Sequence, residues 1–413
     1  MSEQGEIRSS PPGKGTFGFE FELLIPFTAG GSYKEIRKPK SVKKAVVRNE
    51  RLGFTLKLDE QSKMSIFRPV SFIQQVTAFT RAPVNVAWVG ENMTIPEIVT
   101  DVLTSEISPE ELSKRIGAIA GWAADLVAKA KKNRKSLQEL DHELKPVTDD
   151  SRVAVEGLAG LHLGPIVHPT GVNPATVDQA NNAIADITAS AYVHQTYALP
   201  LDKVLDELSY LAGLCKGTEA FASPLKKAAD PGPVTTALSK LDLASDPAAA
   251  QLGGFFALLR YYAIALSVPN QTGGLGKNNS ALVLFYKTSL ANVRAKLVQD
   301  HASLMSSLAL ALENSNKKAG ALLALGTDVG DPGWKGYLNG LVNGTGQDHV
   351  IEKFKNEYSG ELSPGDGALG VVVENRRLAE LAPSADGKRY APDEWVGLAE
   401  TLRKRLTGYW PKG

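Results

Sequence analysis

The 413-residue chain is predicted to adopt an α+β fold, a single domain over residues 16–413 built on one sheet with a large helical insertion. Two observations carry this. Strand-like alternation is concentrated in the first third of the chain and returns once, near residue 371, whereas most of the intervening sequence has helical spacing. The late strand has no clear neighbour in its own half, so its partners must come from the N-terminal half, and the helical block at about 175–330 is read as an insertion.

Residues 1–15 mix Pro, Gly, Ser and charges without periodicity and read as a disordered leader. In FGFEFELLIPF, Phe17, Phe19 and Phe21 then alternate with Gly18, Glu20 and Glu22, giving a strand with one apolar and one acidic face. Short strand-like runs follow at Ala45–Arg48, Phe54–Leu58, Ser65–Phe67, Val84–Val89 and Ile95–Thr100. Ser108 as N-cap, Pro109 at the first helical position and acids in the first turn open a helix. Residues 157–167 read as a strand. Residues 175–196, 201–214, 253–266 and 291–325 read as helices, residues 371–377 as a strand, and residues 392–406 as a closing helix.

Formal net charge is +1, so there is no basic excess to neutralise a run of phosphates, and a nucleic-acid partner is not expected. A lone cysteine, Cys215, excludes an intrachain disulfide and Cys-rich zinc sites. Its place near a helix C-terminus disfavours a thiolate, so it is not read as catalytic. The N-terminus lacks the apolar run of a secretory signal, and no stretch approaches the roughly 18 apolar residues of a membrane span. A cytoplasmic start is expected, with any export using a route that needs no cleaved signal.

Glu20 and Glu22 are the most informative pair. At i and i+2 on a strand, two carboxylates share a face roughly 6 to 7 Å apart, and magnesium is held by a few carboxylates together with phosphates and water. A surface strand with a solvated polar face also explains them. QTGGLGKNN approaches Lys277 through glycines, but Gln271 and Asn278 break the P-loop pattern, and a Walker-type site is rejected. His162 and His168 flank Pro165, and each reads as a lone satisfied histidine unless the strand bends. Lys287 and Thr288, in FYKTSLANV, either reach a pocket or cap a helix.

Taken together, FGFEFEL resembles the first-strand G-x-E-x-E motif of the amidoligase and glutamate-cysteine ligase-like carboxylate-amine ligases. PEIVT, residues 96–100, is similar to their next acidic strand, GLHLG, residues 160–164, to their G-x-H-x-H strand, and VVVENRRL to a late Glu-x-Arg strand. These motifs anchor residues 17 to 377. The resemblance implies a curved antiparallel sheet of glutamine synthetase-like type. It also implies ATP and Mg2+ as cofactors, and amide formation through an acyl phosphate between small-molecule or peptide carboxylate and amine substrates. Residue by residue, it implies Glu20, Glu22 and Glu97 as metal ligands, with Glu20, Glu22 and Arg377 on the nucleotide, and Glu374, Arg376 and His162 as catalytic residues. For ENRR the other reading is a salt-bridged strand end. Gly164 replaces the second histidine, Asp101 rather than proline follows PEIVT, and Asp59 is the nearest candidate for a missing D-G-S segment. These departures motivate an alternative, a catalytically inactive binding or structural protein on the same fold. The mobile leader and signal-less start also permit a toxin or effector carried by a phage-tail-like secretion apparatus, which would then be a partner.

Overall fold

The sheet is organised around its first strand. In the computed structural model, β1 (Thr16–Leu23) buries Phe17, Phe19, Phe21 and Leu23, while Gly18, Glu20 and Glu22 on the other face are half-buried. The structure describes residues 15–23, 27–28, 45–59, 93–132, 141–146, 188–215, 225–240, 242–246, 248–267, 284–285, 288, 290–303, 306, 369–376, 378–385 and 389–410, and the account below concerns these.

The remaining strands are β2 (Phe27–Thr28), β3 (Ala45–Asn49), β4 (Phe54–Asp59), β5 (Met93–Thr100), β6 (Leu103–Thr104), β7 (Lys145–Pro146), β8 (Ala191–Pro200) and β9 (Gly370–Asn375). They form one sheet in the order β7-β3-β4-β5-β1-β8-β9, with β2 on β5 and β6 on β1. Every pairing is antiparallel. The turn between β3 and β4 is locally encoded. Asn49 Oδ1 accepts the Leu52 N–H, and Gly53 takes φ +70°, a left-handed conformation that favours glycine.

The helices are α1 (Pro109–Lys132), α2 (Val204–Leu214), α3 (Gly232–Lys240), α4 (Ala249–Ser267), α5 (Leu290–Asp300), α6 (Leu378–Leu381) and α7 (Trp395–Tyr409). Ser108 Oγ accepts the Glu111 N–H at 3.1 Å, which is the expected cap of α1. α1 and α7 cover the apolar face: Phe21 stacks on Trp395 at 4.0 Å, and Phe54 tilts against Trp122 at 4.6 Å. Each fully buried phenylalanine of β1 contributes about 1.5–3 kcal/mol relative to exposure. Among the described residues, no helix is long and apolar enough to cross a membrane.

Behind β8, a buried polar cluster ties sheet to helices. Glu207 of α2 accepts hydrogen bonds from the Tyr197 hydroxyl and, at 3.0 Å, from the Tyr409 hydroxyl, and Arg405 Nε lies 3.2 Å from it. The Arg405 guanidinium lies over the Tyr210 ring at 4.3 Å.

Residues 175–196 do not form one helix. Residues 191–196 open the ten-residue strand β8, and 175–187 lie outside the described residues. β8 is buried on both faces, so its sequence lacks the polar–apolar contrast that marks β1. Among the described residues, helix resumes after Pro200. Of the other expected elements, 65–67, 84–89, 157–167 and 307–325 lie outside the described residues. The expected strands 45–48, 54–58, 95–100 and 371–377 and helices 201–214, 253–266 and 392–406 correspond to β3, β4, β5, β9, α2, α4 and α7, each with shifted ends.

α4 is buried along most of its length because its sequence is apolar on nearly every side, and Leu252, Phe255, Leu258 and Tyr261 are all enclosed. A Cβ at Gly254 would fall 1.8 Å from the Leu201 carbonyl oxygen, whereas one at Gly121 of α1 would meet nothing within 4 Å. Gly254→Ala should therefore destabilise the protein by about 3 kcal/mol or more, since backbone must move. Gly121→Ala should stabilise it by about 0.5–1 kcal/mol. Chemical denaturation of the two variants beside wild type measures both.

Candidate functional site

In an antiparallel ladder, residues directly opposite one another project to the same side, so register alone says which side chains share the acidic face. Three rows cross the middle of the sheet. Lys57, Glu97, Glu22 and Tyr192 form the first, on β4, β5, β1 and β8. Thr55, Val99, Glu20 and His194 form the second, and Gly18, Thr196 and Glu374 the third, which reaches β9. Neighbouring strands lie about 4.8 Å apart.

The distances follow from that register. His194 is buried, and its Nδ1 sits 3.6 Å from Glu20 Oε2 and 3.7 Å from Glu22 Oε1. Among the described residues, that nitrogen and the Thr196 hydroxyl make no hydrogen bond. Glu374 is fully buried and accepts the Arg376 Nε–H at 2.5 Å, so the guanidinium is held where β9 ends.

Burial pushes the Glu97 carboxyl up to about 8. The charge on Glu20 and a hydrogen bond shared with Glu20 add to this, Glu22 adds less, and the Lys57 ammonium pulls the other way. The cluster thus relieves its own repulsion by keeping a proton, a demand that a divalent cation would meet instead. Among the described residues, no group of three or more His, Cys, Asp and Glu stands ready-made as a metal cage. The donor set nonetheless fits magnesium or manganese carried in by phosphate, because such ions keep water and phosphate oxygens beside a few carboxylates and need no closed protein cage.

Of the residues singled out from the sequence, Glu20, Glu22, Glu97 and Glu374 lie on one face of the sheet, and Arg376 bonds to Glu374. His162, His168, Arg377, Lys277 and the side chain of Asp59 lie outside the described residues. Sequence reasoning missed His194, Thr196 and Lys57. The signal was present in AYVHQTYALP, where Tyr192, His194 and Thr196 recur with period two.

No protein-family model matches the chain, and no curated protein matches it. Two solved structures are similar in shape. One is the ACD domain of a VgrG toxin of Vibrio cholerae in complex with ADP and Mn++, with TM-score 0.44 and 12% identity, covering 92% of this chain and 99% of that one. The other is a Vibrio cholerae toxin from the MARTX/VgrG family, with TM-score 0.42 and 12% identity, covering 91% and 96%.

The raised Glu97 carboxyl gives a stability signature. Folded Glu97 binds its proton more tightly than the unfolded chain does. Its contribution is therefore complete below the ordinary glutamate value and is lost as pH rises through about 8. Glu97→Gln cannot ionise and escapes that loss. In metal-free buffer the melting temperature of Glu97→Gln relative to wild type should rise between pH 6 and pH 9; a constant difference would place Glu97 outside the acidic cluster.

Proposed function

We propose that this protein is an ATP-dependent carboxylate-amine ligase that forms an amide through an acyl phosphate, on a curved sheet of glutamine synthetase-like type. The observation that supports it best is the set of rows that brings Glu20, Glu22, Glu97, His194 and Glu374 onto one face, with Arg376 fixed beside them. A cation bound there would neutralise phosphate charge.

In this reading Glu20, Glu22 and Glu97 would hold the cation that neutralises the nucleotide phosphates, and His194 places a nitrogen beside the two β1 carboxylates. Arg376, braced by Glu374, meets the transferring phosphoryl group as charge builds on its oxygens. A substrate carboxylate oxygen attacks the γ-phosphorus and ADP leaves. An amine nitrogen then attacks the acyl carbon, phosphate leaves, and the nitrogen loses a proton. His162 and Arg377 keep the roles the resemblance implies for them. The carboxylate and the amine, small molecules or peptides, are substrates in this proposal. A role as an effector carried by a secretion apparatus is a separate proposal, tested by whether the protein is packed inside such a particle.

Titration calorimetry and thermal shift with ATP and either Mg2+ or Mn2+ test the central claim. Wild type should bind, and ligand at one hundred times its dissociation constant should stabilise the fold by about 2.7 kcal/mol. Glu20→Gln should weaken binding at least about tenfold while leaving the ligand-free melting temperature at or above that of wild type at alkaline pH. Absence of nucleotide binding by folded wild type with both cations would overturn the ligase reading.

A further inference from the structure

We propose that Thr288 is a positioning residue that locks the outer edge of β9 and thereby sets Glu374 and Arg376, an inference that rests on the ligase reading for its functional half. Among the described residues β9 closes one end of the sheet order, and backbone groups along its outer side would in a longer sheet be taken by another strand. Here they are taken by Leu284 and Thr288. Glu374 N–H donates to the Leu284 carbonyl at 2.7 Å. Two residues earlier, the Thr288 hydroxyl accepts the Val372 N–H at 2.9 Å and donates to the Val372 carbonyl, also at 2.9 Å.

A single hydroxyl thus does what a residue of a neighbouring strand would do with its own N–H and carbonyl, because a threonine oxygen can donate and accept at once. The peg is itself anchored. Thr288 N–H bonds to the Phe285 carbonyl at 2.8 Å, Leu284 N–H donates to the Tyr261 hydroxyl of α4 at 2.8 Å, and the Phe285 ring meets Tyr261 edge-on at 5.1 Å. Both Thr288 and Val372 are buried, so water does not offer Val372 a ready substitute. Val372, Glu374 and Arg376 alternate along the chain, so a shift at Val372 is passed along the same side of β9 to the carboxylate and guanidinium. Glu374 is fixed twice over, by its backbone to Leu284 and by its side chain to Arg376.

The test compares Thr288→Val, which keeps the shape and removes the hydroxyl, with Thr288→Ser, which keeps the hydroxyl, and with Ile119→Val, a core trim in α1. Amide hydrogen exchange without ligand should be at least about tenfold faster at Val372 and Glu374 in Thr288→Val, unchanged in β5, and near wild type in Thr288→Ser. Affinity for ATP with Mn2+ should fall about tenfold in Thr288→Val only, and the same substitution should have no further effect in a Glu374→Gln background. Unchanged exchange in Thr288→Val overturns the inference outright. Wild type that binds nucleotide with affinity unaffected by Thr288→Val, or effects that add to those of Glu374→Gln, overturn the positioning role while leaving the ligase reading standing. Wild type that binds no nucleotide overturns that reading and with it the functional half, and exchange then decides the lock on its own.

Discussion

The choice made at β1 commits the rest of the sheet. Phe17, Phe19 and Phe21 can reach Trp395 and the helices only if Gly18, Glu20 and Glu22 take the opposite side, and a slip of one residue would exchange the two sets. Burying three phenylalanines stabilises by roughly 5–9 kcal/mol in total, and a slipped register would lose that while driving two carboxylates into an apolar core. The crowding of acids on the other face is thus held in place by the aromatic face. Glu97, directly across from Glu22, neighbours Ile98 on β5, and because Ile98 is buried on the apolar face Glu97 takes the acidic one.

How much of this could be read beforehand depends on contrast between the faces. β1 and β9 were legible for different reasons: β1 because acids and phenylalanines alternate, β9 because a run of valines is hard to place elsewhere than in a strand. β8 was not. Its Tyr192, His194 and Thr196 alternate with Val193, Gln195 and Tyr197, so each face mixes polar with apolar residues and the hydrophobic signal cancels. That strand lies between β1 and β9 and joins Glu20 to Glu374, which is why His194 and Thr196 escaped notice although four carboxylates and one arginine of the same face did not. His162 stands out in the sequence through its glycine-flanked pattern, whereas the histidine beside Glu20 is recognised only by register.

The edges of the sheet show a second limit of local reading. Thr288 lies 84 residues from Val372, and nothing in FYKTSLANV announces that its hydroxyl will complete a strand. A helix-cap reading was the natural inference from spacing alone, because a cap and a strand-edge peg use the same chemistry, an oxygen offered to an orphan N–H.

A buried carboxylate is not by itself a sign of function, and Glu207 makes the comparison inside one molecule. It is as enclosed as Glu374, yet two tyrosine hydroxyls donate to it and the Arg405 guanidinium lies beside it, so its charge is answered within the protein. On the acidic face Glu20, Glu22 and Glu97 lie beside one another, and the relief available to Glu97 is a retained proton. The two clusters lie on opposite sides of β8, since Tyr197 projects to one side and His194 and Thr196 to the other. Glu207 behaves as a tie between β8, α2 and α7. On the acidic face, by contrast, Glu97 meets further carboxylates, and the electrostatic demand this leaves is one that an arriving cation would satisfy.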